Sequence, residues 1–266
     1  MTALIGMFVF LFGLIVGSFL NVVIYRLEKG ESTFRGRSYC PRCRYTLSWE
    51  DLVPVISFLL LGGKCRYCRE KISIQYPVVE LATGLIFLLI FKSQVSSLNQ
   101  VLSFEILNLL YFWVIASLLI ILFVYDLRHY ILPDKILFPA IGIVLGYRVF
   151  EVWSLGLAWD LGFVVSGFAA AAFFFAIFAI SKGRAMGFGD VKLAFFMGLF
   201  LGWPEILVAL FVACMAGAAV GVVLILLKKK GMKSEIPFGP FLIGGTFAAL
   251  FLGKELVDWY LTFLLV

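Results

Sequence analysis

Long apolar segments alternate with short polar ones along most of the chain. A helix that spans a bilayer needs about 20 apolar residues, with a range of roughly 17–25. By this measure the pattern predicts eight spans, of which the sixth is short and is expected to tilt little or to dip partway. The spans lie near residues 3–25, 76–92, 104–125, 135–151, 160–181, 190–203, 205–227 and 236–253. The apolar stretch 254–266 either extends the eighth helix or lies along the membrane interface.

The composition indicates an all-α polytopic membrane protein. Of the 266 residues, 63% are hydrophobic and 14% are charged, whereas soluble domains carry roughly 25% charged residues. No small-residue cleavage site follows the first span, so we interpret it as a retained span rather than a signal peptide. Loops at a membrane surface account for nearly all of the net charge of +6, and no nucleic-acid partner is expected.

The distribution of Lys and Arg predicts the orientation of these spans, because cytoplasmic loops are enriched in both residues. With the first loop inside, 19 of the 22 basic residues lie in inner segments. Only Lys92, Arg148 and Lys254 lie in outer segments. The N-terminus is therefore expected outside the cytoplasmic membrane. The basic loop 228–233 is expected in the cytoplasm, with anionic membrane lipid as its partner.

The sequence divides into a first transmembrane helix (1–26), a cytoplasmic segment (27–75) and a transmembrane core (76–266). The cytoplasmic segment is too small to build a strong core of its own and needs a cross-link. Two Cys-x-x-Cys pairs provide the residues for one, and four thiolates make a tetrahedral Zn²⁺ site. The four residues are Cys40, Cys43, Cys65 and Cys68.

The zinc interpretation of these cysteines has two alternatives. The gap of 21 residues between Cys43 and Cys65 lies just outside the usual spacing of zinc sites. A redox dithiol pair would use the same residues, and so would disulfides. The predicted cytoplasmic location argues against disulfides, which are rare in that compartment.

Two acidic residues lie at the ends of apolar segments. Asp126 ends the third span, and Asp190 lies in the motif Gly-Phe-Gly-Asp-Val-Lys at 187–192. The charge distribution places both at the same depth on the cytoplasmic side, although 64 residues separate them. An ionisable group at such a place is a functional-site hypothesis by default. The alternative for a single Asp at a helix start is an N-cap.

Two carboxyl groups a few ångströms apart cannot both ionise cheaply, so they share one proton. One then acts as a base that activates water for attack on a peptide carbonyl. The other acts as an acid that protonates the carbonyl oxygen and later the leaving amine. Peptide hydrolysis by this route needs neither a metal nor a covalent intermediate.

Four further polar residues have candidate roles. Glu80, near the start of the second span, is either a partner for Arg or backbone amides or a contact for a substrate or methyl donor. Asp134 is a natural N-cap for the fourth span, since Pro133 ends the helix before it. Lys192 tunes Asp190, touches the substrate, or is simply a lysine at the positive-inside border. His129, the only histidine, is expected to be an interfacial loop residue.

Several short motifs follow one another in a fixed order. They are Gly17-Ser18-Phe19-Leu20-Asn21, the two Cys-x-x-Cys pairs, Pro77-Val78-Val79-Glu80-Leu81, Asp126 with Leu132-Pro133-Asp134, the 187–192 motif, and Pro237-Phe238-Gly239-Pro240. In this combination the chain resembles the type IV prepilin peptidases, which are membrane aspartyl proteases with a Gly-x-Gly-Asp motif. The resemblance covers nearly the whole chain.

The resemblance implies that Asp126 and Asp190 form the catalytic pair. It implies prepilins or type II secretion pseudopilins as substrates, with short basic leaders that end in Gly and are cut at the cytoplasmic face of the bacterial inner membrane. Members with the cysteine segment resemble bifunctional enzymes that also N-methylate the new N-terminus with S-adenosylmethionine. No methyl-donor residue is assigned; the cytoplasmic segment and the Glu80 region are the candidates.

Two other classes of protein are compatible with parts of this pattern. A proton- or ion-coupled transporter would use intramembrane Asp residues as relays, and it predicts inverted repeats and carboxylates near the bilayer midplane. A zinc-stapled membrane scaffold or redox protein would use both Asp residues only as helix caps.

Overall fold

The computed structural model describes residues 2–33, 36–94, 103–155, 161–184, 186–227 and 236–264. Within these ranges the chain is helical, and the only β-structure is two isolated bridges in the segment after the first helix. The helices are α1 (Thr2–Lys29), α2 (Ile56–Leu60), α3 (Gln75–Gln94), α4 (Ser103–His129), α5 (Asp134–Leu155), α6 (Gly162–Ser181), α7 (Phe188–Leu201), α8 (Glu205–Leu226) and α9 (Gly239–Leu264). The all-α prediction is confirmed for the described residues.

Seven of the eight predicted spans are helices long and apolar enough to cross a membrane. The remaining one, α7, has 14 residues and is about 21 Å long at 1.5 Å per residue. The hydrocarbon core of a bilayer is about 30 Å thick, so a full crossing by α7 is not confirmed. The last helix, α9, continues to Leu264, which makes the stretch after residue 254 an extension of that helix. The basic loop 228–233 lies outside the described residues.

The structure divides into two compact units, residues 1–121 and residues 122–266, and the division falls within α4. In the first unit, α1 packs along α3 at a glycine contact. A Cβ atom at Gly17 would lie 2.7 Å from the Cα atom of Glu80, so the two backbones touch at this point. Small residues permit such close packing of helices in membranes.

The second unit is built from two further helix pairs that also meet at glycines. α6 packs on α7 at Gly198, where a Cβ atom would lie 2.5 Å from the carbonyl oxygen of Ser166. α8 packs on α9 at Gly245, which lies against the carbonyl oxygen of Ala209. α7 also contacts α5, α8 and α9, and nine of its 14 residues are buried. Protein rather than lipid therefore surrounds most of this short helix.

The segment between α1 and α3 is held in shape by a buried arginine at the end of α1. Arg26 is 5% exposed, and its guanidinium donates hydrogen bonds to four backbone carbonyls of the following loop. The acceptors are Ser32, Thr33, Gly36 and Arg37, at 3.0–3.3 Å. Since buried carbonyl groups need partners, one side chain allows the chain to turn sharply as it leaves the first helix.

Candidate active site

Asp126 lies in the last turn of α4 and is 4% exposed. Its carboxylate accepts a hydrogen bond from the backbone N–H of Gly239, the first residue of α9. The first N–H groups of a helix have no partner within the helix, and the helix dipole favours negative charge there. A Cβ atom at Gly239 would lie 2.5 Å from Asp126 Oδ2, so only glycine leaves room for the carboxylate.

Asp190 is the third residue of α7 and is 8% exposed. The N-cap of this helix is Gly187, so Asp190 is not the N-cap itself. Its carboxylate accepts a hydrogen bond from the Gly187 N–H, as an acidic residue at the third helical position does in a capping box. Both carboxylates are therefore held by backbone amides at a helix start, Asp126 by another helix and Asp190 by its own.

Leu132 lies between the two acidic positions. A Cβ atom at Gly189 would lie 3.2 Å from the Leu132 Cβ, and one at Gly239 would lie 3.4 Å from the Leu132 Cδ2. The buried leucine thus packs against the residue next to Asp190 and against the residue that binds Asp126. The two carboxylates are close enough to interact electrostatically. The structure brings together two acids that are far apart in the sequence.

The break between α4 and α5 places Leu132 at this point. α4 ends at His129, Tyr130 has a positive φ of 57°, and Asp134 begins α5. The break therefore occupies residues 130–133. His129 lies in the last turn of α4, with its ring centroid 4.5 Å from that of Tyr125.

Lys192 forms an ion pair with Asp134. Its ammonium nitrogen also lies 5.5 Å from the ring centroid of Phe138 and 5.6 Å from that of Phe188. Residues on α5 and α7 are thereby joined beside Asp190. The sequence analysis considered both residues but did not predict that they pair. Their opposite charges, at two helix starts on the same predicted side, could have indicated the ion pair.

Glu80 is buried in α3 and has two partners in the first unit. Its Oε2 accepts a hydrogen bond of 2.8 Å from the backbone N–H of Val55, and it is also bonded to the side chain of Ser18. Of the two interpretations of Glu80, this geometry favours the structural one, in which the carboxylate binds a backbone amide. The amide belongs to the segment between α1 and α3, so Glu80 ties that segment to the first helix pair.

The four paired cysteines converge in the segment between α1 and α3. Their sulfur atoms all lie within 4.8 Å of one another, and none forms a disulfide. Zn–S bonds of about 2.3 Å in a tetrahedron place the sulfurs about 3.8 Å apart. The observed Cys40–Cys68 distance of 3.9 Å matches this value, so the arrangement fits a zinc ion.

The two Cys-x-x-Cys turns have the same local geometry. The N–H of Arg44 donates to the Cys40 carbonyl at 2.9 Å, and the N–H of Arg69 donates to the Cys65 carbonyl at 3.0 Å. Both arginines have a φ of 60°. Burial opposes ionisation of Cys65, but the N–H groups of Cys68 and Tyr67 outweigh it and lower the pKa of this thiol to about 7. A preformed thiolate is the form that binds a metal.

Two family models match this chain. The bacterial peptidase A24 N-terminal domain matches residues 11–93, and the type IV leader peptidase family matches residues 113–222. The first match includes all four paired cysteines, and the second includes both acidic residues. No solved structure matches the chain.

Curated relatives match over nearly the full length of the chain. A prepilin leader peptidase/N-methyltransferase of Aeromonas salmonicida (strain A449) is 32% identical over 97% of this chain and 94% of the relative. Proteins of the same name from Bacillus subtilis (strain 168) and Pseudomonas aeruginosa are each 31% identical to this chain. The matches cover 95% of the chain, with 96% of the first relative and 92% of the second. The chain therefore belongs to the type IV leader peptidase family.

Proposed function

We propose that this protein is a membrane aspartyl endopeptidase that removes the leader peptides of type IV prepilins or type II secretion pseudopilins. The observation that carries the proposal is the placement of Asp126 and Asp190. Both are buried in one compact unit, within electrostatic range of each other. Family membership and the names of the relatives support the same activity. They do not favour a transporter, in which these residues would relay protons.

The chemistry follows from the environment of the two acids. In a medium of low dielectric constant, two neighbouring carboxyl groups hold one proton between them. The ionised group takes a proton from a water molecule, whose oxygen attacks the scissile carbonyl carbon. The protonated group donates its proton to the carbonyl oxygen. As the C–N bond breaks, the amine takes the proton that the first group removed from water, and the carbonyl oxygen returns its proton to the second group. The amides of Gly187 and Gly239 keep the carboxylates oriented.

We place this site at the cytoplasmic face of the bacterial inner membrane, because 19 of the 22 Lys and Arg residues lie in loops on one predicted side. A substrate whose short basic leader precedes an apolar helix suits this location. Its helix can lie in the bilayer while the basic leader stays in the cytoplasm, and the cleaved bond then lies near the inner membrane surface.

The four cysteines are proposed to hold one structural Zn²⁺ ion. Between α1 and α3, the described residues have little regular structure beyond a 3₁₀ turn and one short helix. A zinc ion bound by both Cys-x-x-Cys turns would supply the cross-link that such a segment needs.

The relatives' names also include N-methyltransferase, and we propose that the chain methylates the new N-terminus of its product. S-adenosylmethionine would supply the methyl group. The carboxylate of Glu80 is already bonded to Val55 and Ser18, which does not fit a direct role in holding this donor. The segment between α1 and α3 remains the candidate region.

Replacing either acid should abolish cleavage. Asp126→Asn and Asp190→Asn each remove one of the two carboxyl groups that share a proton, while conserving size. The rate should therefore fall by about 10³-fold or more. Purified protein in detergent is mixed with a prepilin-like peptide, and the product is identified by mass. Asp258→Asn, at an exposed position of α9, is the matched control and should cleave normally. Normal cleavage by either active-site variant would contradict the proposal.

A side chain at Gly239 should impair catalysis through Asp126. The added methyl group of Gly239→Ala would collide with the carboxylate, and a displacement of about 1 Å is enough to cost up to 10²-fold in rate. We expect a lower kcat in the same assay with little change in thermal stability. Gly244→Ala is the control, since a Cβ atom there meets nothing within 4 Å. Equal loss of activity in both variants would refute a local effect.

Loss of the cysteines should release the metal. The double variant Cys40→Ser/Cys65→Ser removes one ligand from each turn, and metal analysis should show one zinc equivalent fewer per chain than the wild type. Cys214→Ser, which changes the cysteine outside both pairs, should keep its zinc. Full zinc content in the double variant would disprove the site.

The methyl group should be found on the mature N-terminus. Wild-type protein is incubated with the prepilin-like peptide and a radiolabelled methyl donor, and the labelled product is sequenced. Asp190→Asn should give no labelled product from the uncleaved peptide, but should label a peptide that begins at the mature residue. If the wild-type protein leaves the peptide that begins at the mature residue unlabelled, the protein is a peptidase without methyltransferase activity.

A further inference from the structure

The helix that carries Asp190 lacks the usual means of fixing its position in a membrane. A spanning helix is set by its hydrophobic length and by anchors at both interfaces, but α7 is too short for this. A slide of one residue along the helix would move Asp190 by about 1.5 Å and rotate it by about 100°. Because catalysis is sensitive to displacements of about 1 Å, contacts with neighbouring helices have to fix α7.

The C-terminal end of α7 is bound by α5. The last carbonyl groups of a helix lack partners within it. Arg148 of α5 donates a hydrogen bond of 3.1 Å to the carbonyl of Phe200 and one of 2.8 Å to Glu151. Its guanidinium carbon lies 3.6 Å from the ring centroid of Phe163. A positive charge is favourable at a helix C-terminus.

The other end of α7 is bound by the same helix. Lys192 pairs with Asp134, the first residue of α5. A positive charge near a helix N-terminus does not stabilise that helix, so Lys192 contributes little to α7 as an isolated element. Its side chain is 22% exposed and lies beside the rings of Phe138 and Phe188. The contact therefore connects two helices.

We propose that Lys192 and Arg148 are positioning residues that attach the two ends of α7 to α5 and thereby hold Asp190 opposite Asp126. This inference rests on the proposed peptidase function. The two contacts fix both the depth and the rotation of α7, which one contact alone does not.

The kinetic test uses Lys192→Met and Arg148→Met with the prepilin-like peptide. Each should lower kcat by about ten- to hundredfold and leave KM within about twofold, because a positioning residue acts through Asp190 and not on the bound substrate. Lys135→Met and Lys254→Met each remove an exposed positive charge, from α5 and α9 respectively, and should match the wild type. Arg148→Lys retains one donor group and should lie between the wild type and Arg148→Met.

Charge reversal separates an ion pair from a substrate contact. Lys192→Asp and Asp134→Lys should each lower kcat, and the two together should restore at least a third of the wild-type value. If Lys192 instead binds the substrate, Lys192→Met raises KM at constant kcat and the double reversal restores nothing. Either of these results would overturn the proposal.

Hydrogen–deuterium exchange of the detergent-solubilised protein tests the attachment of α7 to α5 without relying on cleavage. The amides of residues 187–191 should exchange faster in Lys192→Met and Arg148→Lys than in the wild type and in Lys135→Met. Unchanged exchange would refute the positioning role. If Asp190→Asn cleaves normally but exchange rises as expected, the proposed catalytic pair fails while the attachment of α7 stands.

Discussion

A carboxylate in an apolar environment needs a polar partner, and this requirement organises the second unit of the structure. Asp126 and Asp190 are buried where water does not solvate them fully. Each is bonded to a backbone amide at the start of a helix, where the donors are otherwise unpaired and the dipole is favourable. The positions of α7 and α9 are therefore linked to those of the two acids.

Glycine makes these contacts possible at two scales. Gly198 and Gly245 let helix backbones touch, which brings the pairs α6–α7 and α8–α9 together. Gly189 and Gly239 let the groups of the site approach each other, the first against Leu132 and the second against a carboxylate. The same property, the absence of a side chain, serves both the packing of the bundle and the geometry of the candidate dyad.

Much of this arrangement was accessible from the sequence. Hydropathy alone predicts the number of apolar segments and most helix boundaries, because a spanning helix must be long and apolar. Spacing alone pairs Cys40 and Cys43 with Cys65 and Cys68. The charge distribution predicts the direction of each span, and from it that the two acids lie on one side of the membrane.

The contacts within the second unit were not predictable in the same way. The Gly239 amide binds Asp126, and the Leu132 side chain packs between two glycines. No periodicity or charge pattern in the sequence predicts either contact. The pairing of Lys192 with Asp134 depends on which helices become neighbours, and hydropathy does not determine this. The length of α7 was visible, but the protein contacts around it were not.

The contact between Gly239 and Asp126 also has a consequence for biogenesis. A ribosome delivers both acids before it makes the final helix, so a nascent chain inserted as far as α8 already contains the pair but not the amide that orients one of them. Assembly of the candidate site would thus coincide with the docking of α9.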